Sequence, residues 1–385
     1  MRGLLVCPIS TDLPGNRGIL NKMQYQRTAL AELAGTMDVV CSSVRGPLFG
    51  NRRIADYPVT GRAFSSFNHY VLFYHYVWKH CRPAEYDFLY IRYPLAIPSF
   101  LLFLRQTKKA SPDTKIILEV PTFPYRQELR GPKQRVLLVF DDLGRARLRD
   151  YVDTIVTFYG QQKIFGIPCI PIENGVDVDT IPLTAKSRSG QAISMIVVAN
   201  LARWHGIDRI LRGLAEYLEC EGARPIVLNI VGEGPARSEL SALCGKLGIA
   251  NAVRFRGVHE GSDLDTIFSS SDLALSSLGM HRLGLHRSSS LKAREYCARG
   301  IPFVLSTDDS DFSAGLPFVH RVPADESPLD VAAVVDFIDH LRECSPDYSM
   351  DMRRFAEERL TWKAKLEPVA RYVRTGKHPA REALP

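Results

Sequence analysis

None of the eight cysteines, at 7, 41, 81, 169, 220, 244, 297 and 344, forms a Cys-x-x-Cys pair, and none stands at zinc-like spacing from the ten histidines. That scatter argues against a zinc ribbon or a disulfide framework and fits the reduced cytoplasm. No apolar run reaches the roughly 18 residues that cross a bilayer; the longest, such as 95–104, fall well short. The opening MRGLLVCPIS is too short in its apolar part for a secretory signal and reads as a first strand. A third glycine is missing after Gly232-Glu233-Gly234, where Arg237 occupies the position a dinucleotide fingerprint requires, so nicotinamide binding is not indicated. No nucleic-acid-binding motif is present either.

What remains is the composition of an ordinary globular protein, 45% hydrophobic and 24% charged over 385 residues. That length predicts two domains of about 150 to 200 residues each. The net charge of +7 is unevenly placed: residues 1–180 hold 23 Lys and Arg against 16 Asp and Glu, while residues 181–385 hold 26 of each. A basic first half attracts anionic partners, whether a membrane surface or a pyrophosphate-bearing acceptor.

Strands alternate with helices through both halves. Strands are predicted at 4–9, 37–42, 88–91, 115–120, 153–158 and 169–172, with a helix at 21–33. A polar stretch after Pro182, LTAKSRSGQA, reads as a connector. A second series follows, with strands at 195–199, 226–231, 253–255, 273–276 and 303–306. Such alternation predicts an α/β fold of two doubly wound parallel sheets, with ligands at the C-terminal ends of the strands.

The most informative stretch is 273–307, LALSSLGMHRLGLHRSSSLKAREYCARGIPFVLST. Two strands bracket a loop containing Gly279, Gly284 and Ser288-Ser289-Ser290, followed by a helix from Leu291 that ends at Gly300. The first-turn amides of that helix favour an anion, and Arg282, Arg287 and Lys292 add positive charge. Glu295, one turn beyond Lys292, suits a sugar hydroxyl.

This stretch resembles the donor-sugar site of the retaining glycosyltransferases of family 4, which have the GT-B fold of two facing Rossmann-like domains with a cleft between them. Glu295, Gly300 and Pro302 match the second half of that family's Glu-x7-Glu pattern, whereas Arg287 stands in place of its first Glu. Leu291, Lys292, Glu295 and Tyr296 match the LK-x-x-EY pattern of its bacterial branch that builds capsule, O-antigen or exopolysaccharide. Asn200 and His205 stand where the family commonly has an Arg and a Lys on the diphosphate, leaving Arg203, Arg287 and Lys292 as substitutes. The resemblance implies domains at 1–182 and 183–356, a helix at 357–376 crossing back to the first domain, and a tail at 377–385.

The resemblance further assigns Lys292 and Glu295 to catalysis; where many members of the family carry a His, this chain offers Glu119, to orient the acceptor hydroxyl or act as its base, or else to cap a local turn or pair with Arg126 or Arg130. Donor binding falls to Arg203, Arg209, Gly232, Gly234, Phe255, Arg256, Gly279, Arg282, Arg287, Ser288, Ser289, Ser290 and Leu291. The acceptor side falls to Gly15, Arg17, Gly18 and Lys22 in a glycine loop, with Thr122 and Tyr125, the latter stacking on a sugar. Asp177–Asp179 and Asp309–Asp311 form Asp-x-Asp strings, but both lie outside the donor helix, and neither a metal nor another cofactor is expected. The implied activity moves a hexose-type sugar from a nucleoside-diphosphate-sugar donor to a cell-surface glycan or lipid-linked saccharide. The alternatives are a catalytically silent GT-B subunit that binds nucleotide or scaffolds an assembly, and a sugar-nucleotide epimerase or hydrolase. The expected location is cytoplasmic, with peripheral contact to an anionic membrane through the basic first domain. The aromatic run 69–80 reads as a buried helix or, alternatively, as one resting on the membrane.

Overall fold

The computed structural model describes residues 1–13, 16–58, 68–126, 132–158, 160–184 and 192–379. It divides into two compact units: the first is Met1–Glu173 with Trp362–Pro385, and the second is Asn174–Thr361.

The first unit begins with β1 (Arg2–Ser10), α1 (Arg17–Ala34), β2 (Thr36–Ser42) and the two-residue strands β3 (Leu48–Phe49) and β4 (Arg52–Arg53). A short π-helical turn, Asn68–Leu72, leads into α2 (Phe73–Cys81), β5 (Phe88–Arg92), α3 (Pro98–Ala110), β6 (Lys115–Val120) and α4 (Pro132–Gly144). The strands β7 (Thr154–Thr157), β8 (Lys163–Ile164) and β9 (Ile167–Pro171) complete its sheet in the order β4-β3-β2-β1-β5-β6-β7-β9-β8. The central six strands are parallel. A parallel sheet covered on both faces needs strands that are apolar throughout, and Leu4, Leu5, Val6 and Cys7 of β1 have no exposed surface. Leu4 and Val6 face a core with Phe73, Tyr74 and Phe100, while Leu5 and Cys7 face one with Met23, Leu30 and Trp362.

The second unit contains β10 (Ile193–Val198), α5 (Ile207–Leu218), β11 (Ile226–Val231), α6 (Arg237–Lys246), β12 (Val253–Gly257), α7 (Gly261–Ser269) and β13 (Leu273–Leu275). It continues through α8 (Leu291–Arg299), β14 (Phe303–Leu305), β15 (Val319–Arg321), α9 (Val331–Cys344) and α10 (Tyr348–Phe355). Its six strands are all parallel, in the order β12-β11-β10-β13-β14-β15. The last helix, α11 (Trp362–Thr375), belongs to the first unit, where Leu366, Val369 and Val373 join the core that contains Met23 and Leu30 of α1.

Two features differ from the sequence expectation. Helix α1 starts at Arg17 rather than 21, so Arg17, Gly18 and Lys22 lie in a helix and not in a glycine loop. Gly15 lies outside the described residues. The units part at Glu173 instead of 182, because the intervening segment is bonded into the second unit: Asn174 to Ser289, Val176 to Leu360, Thr184 to Arg299, and Arg353 to the carbonyls of Val178 and Ile181. The aromatic run forms the helix the sequence leads one to expect, with Phe73, Tyr74 and Val77 of α2 in the core and Tyr76 and Trp78 half-buried. No helix among the described residues is long and apolar enough to cross a membrane.

Candidate functional site

In both sheets the direction of winding reverses beside the first strand: β1 lies between β2 and β5, and β10 lies between β11 and β13. At such a reversal the loops leaving neighbouring strands diverge, and the crevice between them is where doubly wound sheets bind ligands.

In the second unit the loop after β10 runs through Asn200 to His205, and the loop after β13 begins with Ser276 and Ser277. Two glycines bring these loops into contact. Gly206 has φ +65°, and a Cβ built there would stand 2.6 Å from the Gly279 nitrogen, so no larger residue fits without displacement. The His205 carbonyl accepts from the Leu278 amide at 2.9 Å. His205 Nδ1 thereby lies 2.7 Å from Ser277 Oγ and 3.4 Å from Lys292 Nζ in the first turn of α8.

Burial, reinforced by the Lys292 charge, pushes the His205 pKa down to about 3, while a bond to the Asn200 main chain opposes the shift. The ring is therefore neutral at physiological pH. Because the Lys292 ammonium can only donate, Nδ1 is the acceptor where the two meet. Burial also pushes Lys292 down to about 8, against the attraction of Glu295. Glu295 receives both Arg299 bonds on Oε1, at 3.0 and 2.9 Å. Arg299 is held in turn by Asp265 at 2.7 Å and by the Phe268 ring. A lysine poised near neutrality beside first-turn helix amides is a receptor for an anion.

The serine turn has a structural part. Ser289 Oγ accepts from the Asn174 amide at 2.7 Å, and its carbonyl accepts from Asn174 Nδ2 at 2.7 Å. Asn174 Oδ1 is buried and accepts no hydrogen bond among the described residues. The Ser288 amide donates to the Asp308 carbonyl, part of an isolated main-chain β-bridge between Arg287 and Asp308. Ser290 precedes α8 without a side-chain cap bond, and Leu291 is exposed. Arg294, fully buried, is bonded to Asp309 and Asp311 and to the carbonyls of Asn174 and Ser290. The second Asp-x-Asp string is thus the counter-charge of an arginine that ties the α8 entrance together.

Several residues assigned to the donor are engaged elsewhere. Arg209 is 1% exposed and donates to the carbonyls of Ser327, Leu278 and Pro323 and to Asp325. Its role is to anchor those loops, since none of its nitrogens is left for a ligand. Arg282 bonds Asp208, Glu326 and the Arg203 carbonyl. Arg203 is exposed and paired with Glu239 at 3.0 Å, and with Arg282 it lines a surface hollow of about 680 Å³ that does not include Lys292. Gly232 and Gly234 allow close packing of the main chain: a Cβ on Gly232 would lie 1.9 Å from the Ala199 oxygen, and one on Gly234 would lie 2.4 Å from the Leu201 oxygen. On the edge strand β12, Phe255 is covered by Arg237 at 3.7 Å, and Arg256 bonds Asn229 Oδ1 at 3.0 Å.

The first unit also gathers charge at its winding reversal. Glu119, at the end of β6, has no exposed surface, and all its bonds are filled. Oε2 accepts from Gln26 and from the Tyr90 hydroxyl, each at 2.7 Å, while Oε1 accepts from Arg92 at 3.0 Å and faces Lys22 Nζ at 3.5 Å. Burial opposes ionisation, but Lys22, Arg92 and the two hydrogen bonds outweigh it and hold the carboxyl below the usual range. A saturated, ionised, buried carboxylate is not available as an acceptor base, so the sequence assignment of Glu119 is corrected. Lys22 lies over the Phe158 ring at 3.7 Å, and burial pushes it down to about 8. Tyr125 is likewise not a sugar platform: it is 9% exposed, packs on Tyr93, Phe123 and Phe165, and donates to buried Asp141. Thr122 is half-buried in the bend after β6.

Residues 184–311 match the family described as glycosyl transferases group 1. Across the whole chain the fold is that of GT-B glycosyltransferases. Sucrose-phosphate synthase of Thermosynechococcus elongatus shares 14% identity at a TM-score of 0.62, covering 97% of this chain and 98% of that one. A glycosyltransferase of Rickettsia africae shares 12% at 0.64, covering 98% and 99%. HepE of Anabaena, solved with UDP, shares 12% at 0.60, covering 97% and 100%. No curated protein matches the sequence.

Proposed function

We propose that the chain is a glycosyltransferase that moves a hexose-type sugar from a nucleoside-diphosphate-sugar donor to a hydroxyl of a cell-surface glycan or lipid-linked saccharide. Retention at the anomeric carbon, independence of metal and a place on the cytoplasmic side of a membrane belong to the same reading. The observation that carries it is the Lys292–His205–Ser277 cluster at the winding reversal of the second unit, within the segment that matches the glycosyl transferases group 1 family. The diphosphate leaves with the charge of the broken anomeric bond, and the Lys292 ammonium with the α8 amides stabilises that charge. Glu295 Oε2 accepts no bond among the described residues and, with the buried Asn174 Oδ1, suits sugar or ribose hydroxyls. HepE, whose solved complexes contain UDP and UDP-glucose, supports UDP as the first nucleotide to try.

The test is thermal shift and calorimetry with UDP, GDP, ADP and CMP, comparing the wild type with Lys292→Ala. A selective stabilisation that the substitution abolishes supports the reading, because a ligand that binds only the native state raises its stability by mass action. Absence of binding at millimolar nucleotide rejects it. The saturation of Glu119 favours a second reading, a nucleotide-binding subunit without transfer activity. Tight binding with no sugar release from the bound donor, in the presence of any glycan acceptor, identifies that case.

A further inference from the structure

Cys7 and Cys41 form the last regular rung between β1 and β2. These parallel strands pair residue for residue from Arg2 with Thr36 to Cys7 with Cys41, and the register then shifts before Ser10 meets Ser42. Partners across such a ladder hold their Cα atoms about 5 Å apart and point their side chains to the same face. Both cysteines accordingly pack against the core that contains Met23, Leu30 and Trp362. A disulfide needs Cα atoms about 4.4 to 6.8 Å apart, so one can close here with little movement of the main chain. The thiols already meet: the Cys41 thiol donates a hydrogen bond to the Cys7 sulfur, which lowers the Cys7 pKa against the effect of its burial, while the same bond and burial raise that of Cys41.

All eight cysteines are free thiols, and no other two are placed this way. Cys169 of β9 faces Ile155 of β7, and Cys81, Cys220, Cys244, Cys297 and Cys344 lie on helices or just after them. Exposure divides the roles within the pair. Cys7 has no exposed surface, whereas Cys41 is half-buried, so Cys41 is the sulfur an oxidant reaches and Cys7 the one beside it that can resolve the adduct. In a reducing compartment a dithiol of this kind persists until an oxidant arrives, and the transient disulfides found there are mostly catalytic or redox-sensing.

We propose that Cys7 and Cys41 are a reversible redox site of the first unit, converted to an intramolecular disulfide by small disulfides such as oxidised glutathione. The Cys41 sulfur attacks one sulfur of the oxidised glutathione, forming a mixed disulfide and releasing one glutathione thiol. Cys7 then attacks the Cys41 sulfur, the protein disulfide forms, and the second glutathione thiol leaves. Two protein thiols are oxidised, one small disulfide is reduced to two thiols, and the protons of the protein thiols end on those two. The loop closed in this way, residues 8–40, contains the whole of α1, which supplies Lys22 and Gln26 to Glu119, so oxidation restrains the helix that builds the charged cluster of the first unit. The inference is independent of the sugar-transfer reading.

Its test is treatment of the native full chain with oxidised glutathione, alkylation of the remaining thiols and tryptic mapping by mass spectrometry without reductant. Trypsin releases Cys7 in peptide 3–17 and Cys41 in peptide 28–45, neither with a second cysteine. In most chains the two peptides should appear as one cross-linked species that dithiothreitol separates. Cys41→Ser should yield no cross-link, and Cys7→Ala should leave Cys41 holding a glutathione that no second sulfur expels. The exposed Cys220 and Cys344 report that the reagent has acted. Peptides 3–17 and 28–45 still unlinked once those two are modified overturn the proposal. So does glutathione retained on Cys41 of the wild type, or a cross-link that forms only in urea.

Discussion

If Lys292 is the cation that meets the donor diphosphate, nucleotide affinity must fall with pH in a range where an ordinary lysine is indifferent. In the free protein burial lowers Lys292 from 10.5 to about 8. Below that value the side chain is charged and ready for the anion. Above it, binding must first add a proton, and each pH unit reduces the charged fraction about tenfold. Between pH 7 and pH 9.5 the affinity should therefore weaken roughly thirtyfold, whereas a lysine titrating at 10.5 loses only about a tenth of its charge over the same interval. In the complex, a phosphate charge about 4 Å away contributes on the order of 4 kcal/mol at a surface-like effective dielectric, enough to keep the lysine protonated across this range. The terminal phosphate ionises near pH 6, well below the interval, so it adds little to the slope. His205, with its pKa near 3, stays neutral throughout and adds none.

Calorimetric titration with the nucleotide that stabilises the protein, in two buffers of different ionisation enthalpy, measures both quantities. Near pH 8 binding should take up about half a proton. Lys292→Arg carries a charge that does not titrate in this range, so its profile should be flat whatever its absolute affinity. A wild-type affinity unchanged from pH 7 to pH 9.5, or the same slope in Lys292→Arg, would falsify the placement of this lysine on the diphosphate.

Other substitutions separate framework from site. Glu119→Ala leaves Lys22 and Arg92 buried without their counter-charge and should cost about 3 to 5 kcal/mol in urea unfolding of the first unit, with nucleotide binding by the second retained. Because the folded pKa of Glu119 lies below its ordinary 4.5, its stabilising contribution is complete above that value and is lost as the pH falls through the folded value; the stability difference from Glu119→Ala should shrink in acid. Gly206→Ala forces a side chain onto the Gly279 main chain at φ +65° and should lower the melting temperature by the equivalent of about 1 to 3 kcal/mol while weakening nucleotide binding, because His205 moves with it.

The alternation of strands and helices was legible because interior parallel strands such as Ile193–Val198 read as unbroken apolar runs, and the turns between them carry glycine and serine. Helix starts were harder. Helix α1 begins at Arg17 with no acidic first turn, and its N-cap residue Asn16 makes no cap bond and donates instead to the Ser10 carbonyl, so only a weak start signal precedes Asn21. Helix α4 has apolar residues on both its inner and outer faces, Leu137 and Leu138 inside and Val136, Val139 and Leu143 outside, and so shows no clean helical period. The start of α8 at Leu291, with Lys292 in its first turn, was readable from local order. The assignments of Arg209 and Glu119 failed because charged residues are seldom fully buried, and nothing in a local string announces a partner such as Gln26, 93 residues away, or Leu278, 69 residues away. His205 against Lys292 escaped for the same reason.

The resemblance leads one to look for a lysine where His205 stands, and the geometry explains how the site differs without it. Two ammonium groups at the 3.4 Å that separates His205 from Lys292 would repel each other in a half-buried setting, and both would depend on the anion for their charge. A neutral imidazole instead offers Nδ1 to Lys292 as an acceptor, so the lysine is held in place without a second positive charge. Ser277 Oγ, 2.7 Å from the same nitrogen, aligns the ring. The consequence is a site with one titrating cation in place of two, supplemented by helix amides that cannot titrate. If Lys292 meets the diphosphate, titratable charge compensation there turns on the protonation of a single group, which is why the pH dependence of binding, more than its strength at any one pH, tests how this chain differs from the pattern it resembles.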